Sequence, residues 1–463
     1  MMSINTLFEP ISIGNVELKN RIAMSPMNMG YTGPYGFPSE QTYAWYATRA
    51  KGGFGLIITE CIVANPYRWR GCDTFNPLSL HNQRFHRFHS KITEIIHSYP
   101  KAKICAQISP GWGRQGHPDI EDCTISAAGP SSVPVRVDLR NFNKGWLKQL
   151  KKLSPDLIGA LGDYSEFQKM PDEVYAQLFD TMRKEVATKM PSMSHTLIGE
   201  TPRQLEIHEI EQMVDVMVEQ IVNAFRLGYD AVELHTPHGY LLHAFLSPKS
   251  NQRLDKYGGS LENRGRVVTD IIERVRAQVG PDKALGCRLS GDECLPGGLS
   301  HEEACQFVKL FTDAGANFFN VSQGCYENPN KAFAPDGEDD FTVWAPGFKK
   351  ASGGLPVITP NWITPELAAK AISSGKTDII SLGRQAIADP FWPAKVKAGR
   401  EKDIVKCSRC QQCYMALTQS CWMTCSVNPT AGFEEYYPEL WKDDGFDRKS
   451  KKFIQRCQGL EQI

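Results

Sequence analysis

The chain has 463 residues, and Lys+Arg and Asp+Glu both number 52, so no net charge draws it to nucleic acid or to a charged surface. A small-molecule partner is expected instead. No basic stretch followed by an apolar one opens the chain and no run of about 18 apolar residues occurs, which predicts a cytoplasmic protein without a membrane segment.

Short apolar runs rich in β-branched residues alternate with amphipathic stretches, the pattern of βα units around a parallel sheet. The predicted strands are Arg21–Met27, Gly53–Glu60, Lys103–Ser109, Tyr229–His235, Ala284–Ser290, Asn317–Gln323, Pro356–Pro360 and Asp378–Arg384. Helices are expected over Glu209–Leu227, Leu261–Val279, His301–Ala314 and Thr364–Ser373, the last opening on Thr364 and Pro365 as cap and first residue. About eight such units close into a (β/α)₈ TIM barrel over residues 1–400. One excursion breaks the rhythm. Residues 134–202 are too long for a βα loop and are read as an inserted cap segment after the third strand, with helical spacing over Asp172–Ala187 and a basic, helix-prone run at Lys144–Lys152. Beyond the barrel, residues 401–463 form a cysteine-rich extension.

A barrel places its chemistry at the C-terminal ends of its strands. Ser25, Glu60, Gln107, His235, Arg288, Ser322, Thr359 and Arg384 gather there. The densest stretch follows the fourth strand, where His235 and His238 stand three residues apart and Gly239-Tyr240 comes next. Two imidazoles so spaced can donate to one substrate oxygen as negative charge builds on it, and a phenol that stays protonated at neutral pH can supply a proton. A metal pair for the histidines and a buried aromatic for Tyr240 are the alternatives; no third metal ligand is evident.

This run, with Asn251, Arg253, Asp255, Tyr257, Gly258, Gly259, Glu262, Asn263 and Arg264 after it, closely resembles the old yellow enzyme family of FMN-dependent ene-reductases. The resemblance covers almost the whole chain apart from the insertion and the last thirty or so residues. It implies an FMN site in which Ser25, Pro26 and Met27 lie against the ring system and Cys61 is the small residue after the second strand. Gln107 would then bond the pyrimidine edge, and Arg288 would stand beside the atoms that become negative on reduction. Asn28 falls where relatives carry a residue that tunes the flavin potential. Gly383 and Arg384 would hold the phosphate, with Asn361 helping across a loop in which Pro360 lacks a backbone donor.

Cys407, Cys410 and Cys413 stand at two-residue gaps, and Cys425 heads a Ser-Val-Asn-Pro run. Three clustered thiolates and a distant fourth suit a [4Fe–4S] cluster; a structural zinc is the alternative, and Cys421 could stand in for Cys425. The arrangement resembles the iron–sulfur branch of the same family, which contains 2,4-dienoyl-CoA reductase and trimethylamine dehydrogenase. Members of that branch commonly continue into an FAD- and dinucleotide-binding region with a G-x-G-x-x-G turn, and none follows here. The resemblance therefore implies electrons from another subunit or carrier protein, or directly from NAD(P)H. The expected reaction is reduction of a C=C bond activated as an enone, enoate or enoyl-CoA, with Tyr240 as proton donor and His235 and His238 on the carbonyl. Oxidative dealkylation of an amine and a non-catalytic electron-transfer subunit are the other readings. A homo-oligomer is expected, and the aromatic tail over Phe433–Ile463 is read as a docking or oligomer contact, with disorder of its end as the alternative.

Overall fold

The computed structural model describes residues 4–64, 77–115, 127–135, 137, 140, 164–175, 177, 201–328, 331, 342–360, 364–418, 422–434, 441–442 and 445–446. Eight parallel strands close a barrel: β1 (Ile22–Met24), β2 (Leu56–Val63), β3 (Lys103–Ser109), β4 (Ala231–His235), β5 (Ala284–Ser290), β6 (Phe318–Ser322), β7 (Val357–Pro360) and β8 (Ile379–Leu382). Each pairs with its neighbour in sequence, and β8 returns to β1 through Ile380↔Ile22 and Leu382↔Met24. The expected barrel is thus the observed one. Its lower interior is filled by small and branched side chains, Ala23, Leu56, Ile58, Cys105, Ala231, Ala284, Phe318, Ile358 and Ile379. An N-terminal hairpin, Ile11–Ile13 against Val16–Leu18, presses Ile13, Val16 and Leu18 into the same cluster and closes that end. Opening is therefore confined to the other end.

Helices α1 (Glu40–Lys51), α2 (His86–His97), α3 (Ile207–Arg226), α4 (Leu261–Val279), α5 (His301–Ala314), α6 (Ala345–Ala351) and α7 (Pro365–Ser373) follow successive strands. The cap at Thr364 accepts from the Leu367 N–H as its sequence predicts, and Ser300 with Glu303 forms a reciprocal box on α5. α3 starts two residues before its apolar spacing suggests. The Glu209 carboxylate accepts from the Glu206 N–H at 2.8 Å and grips Arg203 with both oxygens, which organises the turn ahead of the periodic residues.

β2 lies three residues further along than predicted. Gly53, at φ 97°, turns the chain out of α1, and the strand begins only at Leu56. At its far end the pairing with β3 slips between Ile58 and Cys61, a bulge that carries the strand past Glu60 to Val63. β1, by contrast, stops at Met24, leaving Ser25 to Asn28 free to line the barrel mouth.

The two ends of the long excursion meet, with Ala128–Gly129 pairing in parallel with Arg203–Gln204. Arg253 holds both: its Nη1 donates to Pro130 O at 2.9 Å and to Leu205 O at 2.6 Å, while Asp255 grips the other edge of the guanidinium. Most of 134–202 lies outside the described residues, including the run at 144–152; residues 164–168 and 172–175 are helical.

The C-terminal extension is bonded tightly to the barrel. Gln385 on the helix Arg384–Ala388, which follows β8, donates to Val405 O and accepts from the Cys407 N–H. Tyr31 Oη donates to Met423 O at 2.6 Å, and Asn428 Nδ2 donates to Ile387 O at 2.8 Å. Arg49 of α1 and Glu434 form a wholly buried ion pair at 2.5 Å. Removing one member of such a pair leaves the other charged and unsolvated, so Glu434→Ala is expected to cost about 3–5 kcal/mol of stability, read by denaturant unfolding.

Candidate active site

The open end of the barrel holds a cavity of about 270 Å³. Ser25, Pro26, Met27, Cys61, Gln107, His235, His238, Tyr240, Arg288, Gly383 and Arg384 all line it. Asn361 and Cys421 lie outside the described residues. Of the polar residues at the strand ends, Thr359 faces away and shares a hydrogen bond with Thr377 at 2.8 Å, whereas Ser322 lies beneath the two histidines and Arg288.

The bulge in β2 sets one wall. Thr59 Oγ1 accepts from the Gln107 N–H, and past the slip Cys61 stands opposite Gln107, so both border the cavity. The Gln107 side chain donates through Nε2 to Glu233 Oε1 at 2.7 Å. A carboxylate only accepts, so this bond fixes which way the amide faces. Asn320 donates to the other Glu233 oxygen at 3.0 Å. Burial pushes the Glu233 carboxyl up, and Arg288, Asn320 and Gln107 oppose that rise. Glu233 is one functional residue that sequence reasoning passed over. Its signal is its place in β4 two residues before His235.

His238 takes a left-handed backbone, φ 68°, followed by Gly239 at φ 83°. That conformation is costly for a histidine, and it is held from both sides: Gln115 Nε2 donates to His238 O, and His238 pairs with Cys325 in a parallel bridge. The turn brings three rings together. His235 and Tyr240 centroids are 5.1 Å apart, and His235 and His238 are 5.5 Å apart. His238 Nε2 meets Ser322 Oγ at 2.6 Å, and neither nitrogen of the buried His235 has a hydrogen-bond partner among the described residues. Burial first, and Arg288 second, hold both imidazoles well below their usual range. They are therefore neutral donors across ordinary pH. Burial, with the neighbouring Tyr326, raises the Tyr240 phenol well above 10, so it keeps its proton.

Arg288 is a buried cation at the cavity wall whose one bond to a neighbour in β6 is to Ser322 Oγ, at 3.3 Å. Its Nε has no hydrogen-bond partner among the described residues. A group with negative charge in the cavity would meet this need, and a flavin that becomes anionic on reduction fits it.

Behind the wall, the Glu60 carboxyl is fully buried without an ordinary hydrogen-bond partner. Burial pushes it up from 4.5 to about 8, against a weaker pull from the Met29 backbone. A carboxyl raised in this way binds more protons folded than unfolded between those values. The folded protein is thus favoured below about pH 4.5, and that advantage drains away as pH rises to about 8. Glu60→Gln is expected to remove this slope and add roughly 4 kcal/mol at pH 8, read as thermal unfolding at pH 5 and pH 8.

Under the loops lies a second buried set. Glu293, Cys325 and Glu327 bring three metal-type ligand atoms within 4.8 Å of one another. Each carboxylate already has a basic partner, Arg114 for Glu327 at 2.6 Å and His243 for Glu293 at 3.4 Å, and Ser247 adds a bond at 2.6 Å. Burial raises Glu293, but His243 and the two hydrogen bonds from Ser247 and Leu299 outweigh it and hold the carboxyl at about 2. We read the set as the Arg114–Glu327 ion pair beside a hydrogen-bonded Glu293, supporting the loops that carry Tyr240 and Tyr326.

The cysteine segment closes the far side. Gln411, Cys413, Tyr414 and Leu417 reach the cavity, the last three from the helix Gln412–Thr418. Between the thiols the backbone turns back on itself through left-handed Arg409 and Gln411. Cys407, Cys413 and Cys425 are partly buried and Cys410 exposed, and none of the four is in a disulfide among the described residues. Cys410 Sγ lies 3.0 Å from Ser426 Oγ.

The sequence pattern that defines the NADH:flavin oxidoreductase / NADH oxidase family matches residues 6–145 and 160–403. The chain belongs to that family. It is 33% identical over 445 residues to an NADH oxidase of Thermoanaerobacter brockii, covering 95% of this chain and 58% of that protein. A cinnamate reductase of Clostridium sporogenes is 29% identical over 462 residues, covering 93% and 58%. Among solved structures, a complex of 2-naphthoyl-CoA reductase with 2-naphthoyl-CoA superposes with a TM-score of 0.75 at 25% identity, covering 93% of this chain and 58% of that one. The chain thus spans little more than half the length of these three relatives. Its barrel is the one read from its sequence.

Proposed function

We propose that this protein reduces a carbon–carbon double bond conjugated to a carbonyl, in an enone, an enoate or an enoyl thioester. The observation that carries the reading is the convergence of His235, His238 and Tyr240 on one cavity wall, with Arg288 beside them. Bound FMN would be held by Ser25, Pro26, Met27, Cys61, Gln107 and Arg288, with its phosphate at Gly383 and Arg384, and supplies the hydride. The neutral imidazoles donate to the substrate carbonyl, where negative charge gathers, and Tyr240 delivers the proton to the α-carbon. Two of the relatives carry names that fit, cinnamate reductase and 2-naphthoyl-CoA reductase.

Cys407, Cys410, Cys413 and Cys425 are proposed to hold a [4Fe–4S] cluster, which would supply one-electron relay. Cys413 borders the cavity itself, so such a cluster would stand beside the proposed flavin. The donor is read as a separate subunit or carrier protein, with NAD(P)H as the direct alternative.

One observation favours a second reading. Trp112 and Tyr326 both stand edge-on to Tyr240, at 5.1 and 5.3 Å, and such rings could box an amine cation. The buried Arg288 in the same cavity disfavours a cationic substrate. The test is anaerobic protein reduced with dithionite and mixed with trans-cinnamate or 2-cyclohexenone, against oxidised protein mixed with trimethylamine. Reoxidation by the alkenes with one saturated product per flavin is expected. Flavin reduction by the amine, with no response to the alkenes, would overturn the reading.

A further inference from the structure

Tyr240 is the proposed proton donor, and it is only 7% exposed on the cavity wall. Each proton it gives must be replaced. Its hydroxyl meets the Tyr326 hydroxyl at 2.5 Å, with the rings nearly perpendicular. Tyr326 is partly exposed and lines the same cavity, so it is the more open of the two residues. The contact is fixed by the backbone. The Tyr326 N–H donates to His238 O at 3.3 Å, and Cys325 pairs with His238, so the loop after β6 is bonded to the loop that carries Tyr240.

We propose that Tyr326 is a proton relay, returning to Tyr240 the proton lost to substrate and drawing its own from water at the cavity mouth. The inference rests on the reading of the site as an alkene reductase. The balance is simple. Hydride from the reduced flavin forms the β C–H bond and the Tyr240 proton forms the α C–H bond, leaving a phenolate on Tyr240. The Tyr326 O–H bond then breaks as the Tyr240 O–H bond reforms, and a proton from water restores Tyr326; no electrons move in either transfer. Burial raises both phenols above their usual range, so each holds its proton between turnovers and the hydroxyl contact is the path by which one can pass to the other.

The relay acts only after the first proton is spent, which separates it from a packing role. Tyr326→Phe keeps the ring against Tyr240 and removes the hydroxyl. Holoprotein is reduced with dithionite and given one equivalent of whichever alkene the wild type reduces, trans-cinnamate or 2-cyclohexenone. The same protein is then run through many turnovers with excess dithionite, in H₂O and in D₂O. In the variant the single turnover is expected to match wild type, while kcat over many turnovers falls roughly tenfold or more at unchanged KM, with a larger solvent isotope effect. Tyr326→His, which can also pass a proton, should recover most of the loss. Equal rates for variant and wild type in both regimes, or an equal loss in both, would overturn the relay and leave the reductase reading intact. Reduced wild-type protein inert to both alkenes would overturn the reading and the relay with it.

Discussion

Replacing Tyr240 by phenylalanine is expected to lower alkene reduction by about 10²- to 10⁴-fold while leaving the flavin bound and reducible by dithionite. The hydroxyl is the only part removed, and the ring contacts with His235, Trp112 and Tyr326 remain. Stopped-flow reoxidation of reduced protein checks this directly, and deuterium incorporation at the α-carbon from D₂O identifies the lost step. The pH profile of the wild type should carry a matching signature. Both imidazoles are held well below their usual range and the phenol well above its own. None of the three then titrates between about pH 6 and 9, so reoxidation should be flat there. A bell with limbs near 6.5 would mean that a histidine titrates during the reaction.

The second large effect is expected at Cys413. Cys413→Ala should release the iron of the proposed cluster, because loss of a mere outer-shell partner already weakens metal binding by about 10- to 100-fold, and a direct ligand matters more. Turnover supported by a protein electron donor should then fall by at least ~100-fold. Flavin reduced chemically by dithionite should still be reoxidised by substrate. Iron analysis and the visible spectrum report the first outcome, and the two donors separate relay from catalysis. Iron retained in full by the variant would remove Cys413 from the ligand set.

Much of this architecture was legible from residue pattern alone. All eight strands overlap the runs expected from the sequence, because a barrel strand buried on both faces is largely apolar along its length. The cap at Thr364-Pro365 set the start of α7, since cap chemistry is local. Elements governed by distant contacts were harder to read. The start of α3 depends on Glu209 reaching back to Glu206 and across to Arg203, and the extent of β2 depends on a slip against β3. In the site, His235, His238 and Tyr240 were readable because one short turn carries all three. Glu233 and Tyr326 were not. Glu233 looks like any strand residue until Gln107 and Asn320 are seen to converge on it, and Tyr326 gains meaning only through a hydroxyl 86 positions earlier. The closing of the insertion by Arg253 is equally invisible in sequence, since its acceptors are backbone carbonyls of Pro130 and Leu205.

The cysteine segment supplies part of the cavity wall through Gln411, Cys413, Tyr414 and Leu417. Whatever rearranges those thiols redraws the space in which substrate is held. Oxygen attack on a cluster there would consequently blur the discrimination between rival molecules as well as interrupt current. An engineer who trims or swaps the extension as though it were a detachable battery would be editing the enzyme's taste.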